Sequence, residues 1–115
     1  MAGSTVQRNA GLTYRLDVTS TAHTAVLIED NTNDQVNYTS FLNAGSKACS
    51  ISWSPNSTVP TPSMGTDGAG GTYVLPGGMT SPLILATPTT PYYLSAITAS
   101  TETTTLYVTP AADQS

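Results

Sequence analysis

His23 is the only imidazole in this 115-residue chain, so nucleophilic catalysis of the Ser–His type would have to run through it. An Asp such as Asp17 or Asp30 would then orient the ring. The histidine sits among hydroxyls, with Ser20 and Thr21 before it and Thr24 after it, and no Gly-x-Ser-x-Gly elbow occurs. A solvated loop histidine is the expectation. Zinc needs three or four His, Cys or carboxylate ligands, and one His with the lone Cys49 fall short. The acidic run from Glu29 to Asp34 offers carboxylates for Ca²⁺ at Asp30 and Asp34. It has Thr32 at the third loop position, Gln35 where Gly is required and Phe41 where the bidentate Glu belongs. A turn between strands explains the same residues. Paired carboxylates for glycoside hydrolysis would have to come from Glu29, Glu102 and five Asp residues, most of them at turns or strand rims. The cluster Gly65-Thr66-Asp67-Gly68-Ala69-Gly70-Gly71 lacks the Gly-Lys-Ser/Thr of a phosphate loop and precedes a strand pattern, so it reads as a loop tip. Asn37-Tyr38-Thr39 and Asn56-Ser57-Thr58 match the glycosylation sequon, with little weight in the absence of a secretion signal. The expectation is a protein that is not an enzyme and holds no metal or cofactor.

Elements able to position side chains are written in the composition. Ser and Thr make up 34 of the 115 residues, while only 9% are charged. β-branched Thr suits pleated, half-buried strands, and solubility here rests on hydroxyls more than on charge. A net charge of −4, with Arg8, Arg15 and Lys47 as the only basic residues, argues against nucleic acid, whose phosphates demand clustered cations. Cys49 is alone, so no intramolecular disulfide forms, which points to folding in a reducing compartment. Residues 1–5 (MAGST) carry no signal-peptide pattern, and no apolar run nears the roughly 20 residues that span a bilayer. A length of 115 fits one domain.

The apolar periodicity is two. In Tyr14-Arg15-Leu16-Asp17-Val18-Thr19 the first, third and fifth residues share a face, as in a half-buried antiparallel strand. Residues 24–30 (TAVLIED) form a second strand, and residues 31–34 (NTND) a turn into a third at 35–42, the two making a hairpin. After the Asn43-Ala44-Gly45 turn, Cys49, Ile51 and Trp53 face the core with Lys47 near the rim. Residues 55–71 are rich in Pro, Gly, Ser and Thr without periodicity, which marks a functional or mobile loop. Short strands follow at 72–75 and 83–86, and 92–97 with 103–109 form the last pair. All eight prolines fall between these runs, where a missing N–H costs no ladder bond. The fold expected is all-β: an antiparallel β-sandwich or jelly-roll-like barrel of about eight short strands. Its core draws on Leu16, Val18, Val26, Ile28, Cys49, Ile51, Trp53, Leu106 and Val108. The domain spans 14–110, with an N-terminal arm at 1–13 and a C-terminal tail at 111–115.

Certain stretches carry a family likeness: Phe41-Leu42-Asn43-Ala44-Gly45 leading to Ser52-Trp53-Ser54-Pro55, then Thr72-Tyr73-Val74-Leu75-Pro76-Gly77-Gly78. The closing runs Tyr92-Tyr93-Leu94-Ser95-Ala96-Ile97 and Leu106-Tyr107-Val108-Thr109-Pro110 complete it. Over roughly 14–110 the chain resembles small virion proteins of tailed bacteriophages, which are Ser/Thr-rich, nearly uncharged β-sandwiches of the decoration and neck type. The resemblance implies a non-enzymatic structural protein, foremost a capsid decoration (cement) protein on the head lattice, synthesised in the host cytoplasm and located in the virion. Its implied partners are the major capsid protein or other virion proteins, with further copies of itself, and neither nucleic acid nor membrane. A neck, tail or fibre component, or a carbohydrate- or receptor-binding module, is the alternative. The partner contacts expected are Val6, Arg8 and Leu12 in the arm, and an outward ring from the pair Tyr92 and Tyr93, which lie on opposite faces of one strand. An arm that orders only on a neighbour implies that removing residues 2–12 leaves the isolated domain's melting temperature unchanged.

Overall fold

The computed structural model describes residues 7–9, 12–29, 38–88 and 90–113. Among them are nine strands and no helix: β1 (Gln7–Asn9), β2 (Tyr14–Val18), β3 (Val26–Ile28), β4 (Tyr38–Asn43), β5 (Cys49–Ser54), β6 (Tyr73–Leu75), β7 (Leu83–Ala86), β8 (Tyr92–Thr98) and β9 (Thr104–Asp113). They make two antiparallel sheets, an open sandwich and not a closed barrel. The first runs β1-β9-β4-β7, with β2 also on β9; the second runs β3-β8-β5-β6.

Eight strands fall on the segments expected from alternation, but two expected pairings do not form. β3 pairs with β8 in one sheet while β4 lies between β9 and β7 in the other, so residues 24–42 are no hairpin. Likewise β8 and β9 sit in different sheets. The chain crosses from sheet to sheet at almost every connection, and only β5 and β6 are both consecutive and paired. A turn signal marks where the chain reverses; whether it reverses within a sheet or across the core depends on which partner buries the apolar face.

Nor is the chain before residue 14 wholly an arm. β1 pairs with the end of β9, Gln7 opposite Asp113 and Asn9 opposite Ala111. β2 continues down the same strand, Tyr14 opposite Val108 and Val18 opposite Thr104. From Asn9 to Tyr14 the first segment advances five residues while β9 advances three, from Ala111 to Val108. The register therefore slips by two. β9 likewise runs to Asp113, beyond the boundary expected at 110.

The core is built by inward positions of both sheets: Leu16, Val18, Phe41, Leu106 and Val108 from one, Ile28, Cys49, Ile51, Leu75, Tyr92, Leu94 and Ala96 from the other. Val26 and Trp53 pack against it half-buried. Trp53 stacks on Phe41 across the sandwich, ring centres 6.0 Å apart and planes 16° from parallel.

At one end of this core lies a fully buried Asn43. Its Nδ2 donates to the Lys47 carbonyl at 2.8 Å and reaches the Leu75 carbonyl at 3.4 Å, while its Oδ1 accepts from Thr104 Oγ1 at 2.6 Å. The carboxamide thus joins β4 to β9, to β6 and to the turn that follows β4. Its own carbonyl accepts from Met79 N at 3.1 Å. The neighbouring glycines let the backbones close on this point. A Cβ at Gly45 would run into Thr104, and one at Gly77 into the Ser46 main chain.

Replacing the carboxamide by Asn43→Leu keeps the volume and strands the Thr104 hydroxyl and Lys47 carbonyl. The expected cost is about 2–5 kcal/mol, since each orphaned buried group costs about 1–3 kcal/mol. A thermal melt should show a drop of roughly 10 °C or more. Removing residues 2–9 takes away β1 and its ladder with β9, so the melting temperature should fall by a few degrees; an unchanged melt would mean that β1 adds nothing to the sandwich.

Candidate interaction surface

Alternation sends every second residue of a strand away from the core. On the five-stranded sheet the inward set is Leu16, Val18, Thr39, Phe41, Asn43, Leu106 and Val108, all buried. The opposite face is therefore made by Arg15 and Asp17 of β2, Thr105, Tyr107 and Thr109 of β9, Tyr38, Ser40 and Leu42 of β4, and Ile84 and Ala86 of β7. Register places Arg15, Tyr107 and Leu42 in one row across three strands. Ser40 lies between Thr109 and Ile84 in the next, and Tyr38 between Ala111 and Ala86 in the third. Among the side chains described on this face, charge is confined to β2, where Arg15 and Asp17 form an exposed ion pair at 3.3 Å. Over residues 104–111 of β9, and on β4 and β7, the face presents hydroxyls, two tyrosines, a leucine, alanines and Ile84, which is 41% exposed.

The outer face of the four-stranded sheet is different, because the chain covers it. Its middle strand β5 puts outward the serines 50, 52 and 54. Ser52 Oγ donates to the Pro60 carbonyl at 2.5 Å, and Ser50 Oγ meets Thr72 Oγ1 at 2.5 Å. Thr72 N donates to the Ser63 carbonyl at 2.8 Å, and Pro62 is buried. The loop expected to be functional or mobile is thus strapped to the sheet by hydroxyls. On β8, Ser95 Oγ donates to the His23 carbonyl at 2.7 Å, which ties down the crossing from β2 to β3.

Between these two coverings lies a cavity of about 300 Å³ lined by His23, Ser57, Thr58, Val59, Pro62 and Ser95, among others. His23 is half-buried, with its ring Nδ1 2.7 Å from the Thr24 carbonyl and its main-chain N–H donating to the Ala96 carbonyl at 2.9 Å. The histidine lies outside the strands, as expected, and it is half-buried there with its main chain tied to β8. The nearby serine Ser95 spends its hydroxyl on a carbonyl, and no carboxylate is in the lining, so neither base-activated nucleophile nor orienting acid is assembled here. Among the described residues no three His, Cys, Asp or Glu side chains come together as a metal site. Asp30 and Asp34, the calcium candidates, lie outside the described residues.

The expected contact residues separate. Leu12 is 69% exposed, beside Thr13, whose Oγ1 is 2.8 Å from Thr109 Oγ1 at the edge of the bare face. Arg8 pairs through its main chain with Ala112 on the same edge. Val6 lies outside the described residues. Tyr93 is half-buried on the opposite, covered sheet, opposite Leu27 and Ser54. Tyr92 is a correction: it is no surface contact but a fully buried core residue, its Oη 2.6 Å from Thr39 Oγ1, which in turn lies 2.9 Å from Thr87 Oγ1. Strand parity demanded one ring in and one out, and the inward partners Leu94 and Ala96 decide which. The bare face itself was within reach of the same parity, as the set left over once Leu16, Phe41, Leu106 and Val108 are turned inward.

Comparison with protein-family models, with curated proteins and with solved structures gives no match for this chain.

Burial pushes the Tyr92 hydroxyl up from 10.0 to about 12, partly countered by its hydrogen bonds to Thr39 and Thr87, and pushes the Cys49 thiol up from 9.0 to about 11. Both acids are raised in the folded chain, so their contribution is complete below pH 9 and is lost as pH climbs from 9 to 12. Each two-unit shift corresponds to about 2–3 kcal/mol. Unfolding monitored across that range should show stability falling steeply, and Tyr92→Phe should remove the Tyr92 share, which falls between pH 10 and 12, while leaving the Cys49 share between pH 9 and 11.

Proposed function

We propose that this chain is a non-enzymatic structural protein of a phage particle, most specifically a capsid decoration protein that seats the outer face of its five-stranded sheet on the head lattice. The observation carrying this reading is the asymmetry of the sandwich. Among the described residues one sheet is roofed by the chain's own loop, whereas the other carries no such covering over the rows of Tyr107, Leu42 and Ser40, and its described charges lie at the β2 margin. The centres of protein interfaces are depleted in charge and enriched in Tyr, which Tyr38 and Tyr107 supply here. Low net charge also lets many copies crowd on a shell without strong mutual repulsion. Leu12 and β1 border this face and extend it along the β9 edge.

The test is binding of the purified protein to particles of its own phage that lack it. Leu42→Thr with Tyr107→Thr places a strand-favouring β-branched residue in each strand and removes the apolar centre of the face. It should weaken binding at least tenfold, equivalent to about 1.4 kcal/mol. Val74→Thr, on the other sheet, should bind as the parent does. Full occupancy by the double variant would overturn the assigned face, and labelling found only at the neck or tail would overturn the decoration role.

A further inference from the structure

We propose that the protein self-associates about a two-fold axis through the free edge of β7, the Leu83–Ala86 strands of two copies pairing antiparallel so that their five-stranded sheets become one. The proposal does not rest on the particle role.

Among the described residues the sandwich has four sheet edges, and β7 offers the longest stretch of them that is neither charged nor tied at its ends to other chain. A strand edge presents unpaired N–H and C=O groups, and proteins blunt it with charge, with covering chain or with distortion. The β2 edge carries Arg15 and Asp17. β3 is followed at once by Glu29, whose N–H donates to Tyr14 Oη at 3.1 Å and whose carbonyl faces the same hydroxyl at 3.4 Å, so the first sheet holds its end. β6 is uncharged and leaves Tyr73 and Val74 exposed, but it is only three residues long and is held at its start by the Ser63–Thr72 strap, with bonds of 2.8 and 3.0 Å. β7 has neither charge nor described covering chain, and its guards are its four-residue length and the flanking Pro82 and Pro88. From Asp67 to Glu102 no charged side chain occurs, and among the described residues nothing pairs with β7 on the side away from β4. Ile84 stands exposed at its middle.

A second copy is the occupant that this edge fits. An antiparallel edge is its own hydrogen-bond complement about a two-fold axis, so identical strands pair without any further adaptation. Like charges placed opposite one another destabilise such a pair, and this strand has no charge to place. Pro82 and Pro88 stand just outside the strand at either end. Neither can donate to a ladder, so the usable edge is limited to a partner equally short. Ile84 of both copies would then lie near the axis on the outer face, and the uncharged surface of Tyr107, Leu42 and Ser40 would run continuously over both protomers. Four residues span only about 14 Å of strand, and the interface falls below the roughly 1,600 Å² of a standard complex. The dimer is therefore a weak one, formed at high local concentration.

Sedimentation of the full chain from about 1 µM to about 1 mM should show the 11.9 kDa species giving way to twice that mass in the upper part of the range. Ile84→Lys should shift the midpoint at least tenfold to higher concentration, whereas Arg15→Ser on the opposite edge should leave it in place. Because a lysine at this position could disturb the sandwich, amide exchange of the unaltered protein supplies a second reading: protection of Leu83–Ala86 should rise with concentration. A monomer throughout the range, or a dimer whose new protection lies on β2 or on β6, would overturn the proposal.

Discussion

A buried carboxamide must find partners for both its donors and its acceptor, and Asn43 finds them on three different parts of the chain. The Thr104 hydroxyl, the Lys47 carbonyl and the Leu75 carbonyl belong to the first sheet, to the turn after β4 and to the second sheet. No hydrophobic contact could impose this, because apolar packing tolerates sliding whereas a hydrogen bond to a named atom does not. The two sheets are held in one relative position at this end by a single side chain. The absence of a Cβ at Gly45 and Gly77 is the steric half of the same constraint, since it allows the main chains to draw close enough for those bonds. At the other end of β4 the Thr39–Tyr92 pair makes a second fixed link between the sheets. Between the two, Phe41 on Trp53 fills the space. β4 thus carries three successive inward residues that each reach the opposite sheet.

How much of this was legible in the residues depends on which physical signal is asked. Apolar runs bounded by turn residues, several of them alternating with period two, placed eight strands and turned Leu16, Val18, Ile28, Cys49, Ile51, Leu106 and Val108 inward, because burial of one face is a local property of a strand. Pairing is not local. β3 with β4 was expected as a hairpin and β8 with β9 as a pair, yet the members of each lie in different sheets. Asn, Asp, Thr and Gly reverse a chain equally well in either geometry. β1 was also beyond reach: Gln7-Arg8-Asn9 has no apolar member, and it is a strand because the overhanging end of β9 offers it a ladder.

The same division applies to the surface. Parity showed that Tyr92 and Tyr93 point opposite ways, but the choice between them depended on the neighbours across the core. The long Pro- and Gly-rich loop has little apolar content, which reads as freedom. Its attachment comes from outward serines on β5, a residue type that suits a solvated strand just as well. What serine on a strand means is decided by what lies above it. The bare face of the other sheet is the complement of that finding, a surface defined by the lack of any chain long enough to cover it among the described residues.

β9 lies at the centre of its sheet, with β4 on one side and β1 and β2 together on the other. In sequence it follows β1 and β2 by nearly the whole of the sandwich, with Gln7 opposite Asp113 and Tyr14 opposite Val108. A ladder between segments so far apart repays its loop-closure entropy only once the intervening strands have come together. Assembly of this sheet is therefore slow beside that of a sheet stitched from hairpins, because almost none of its pairing is local.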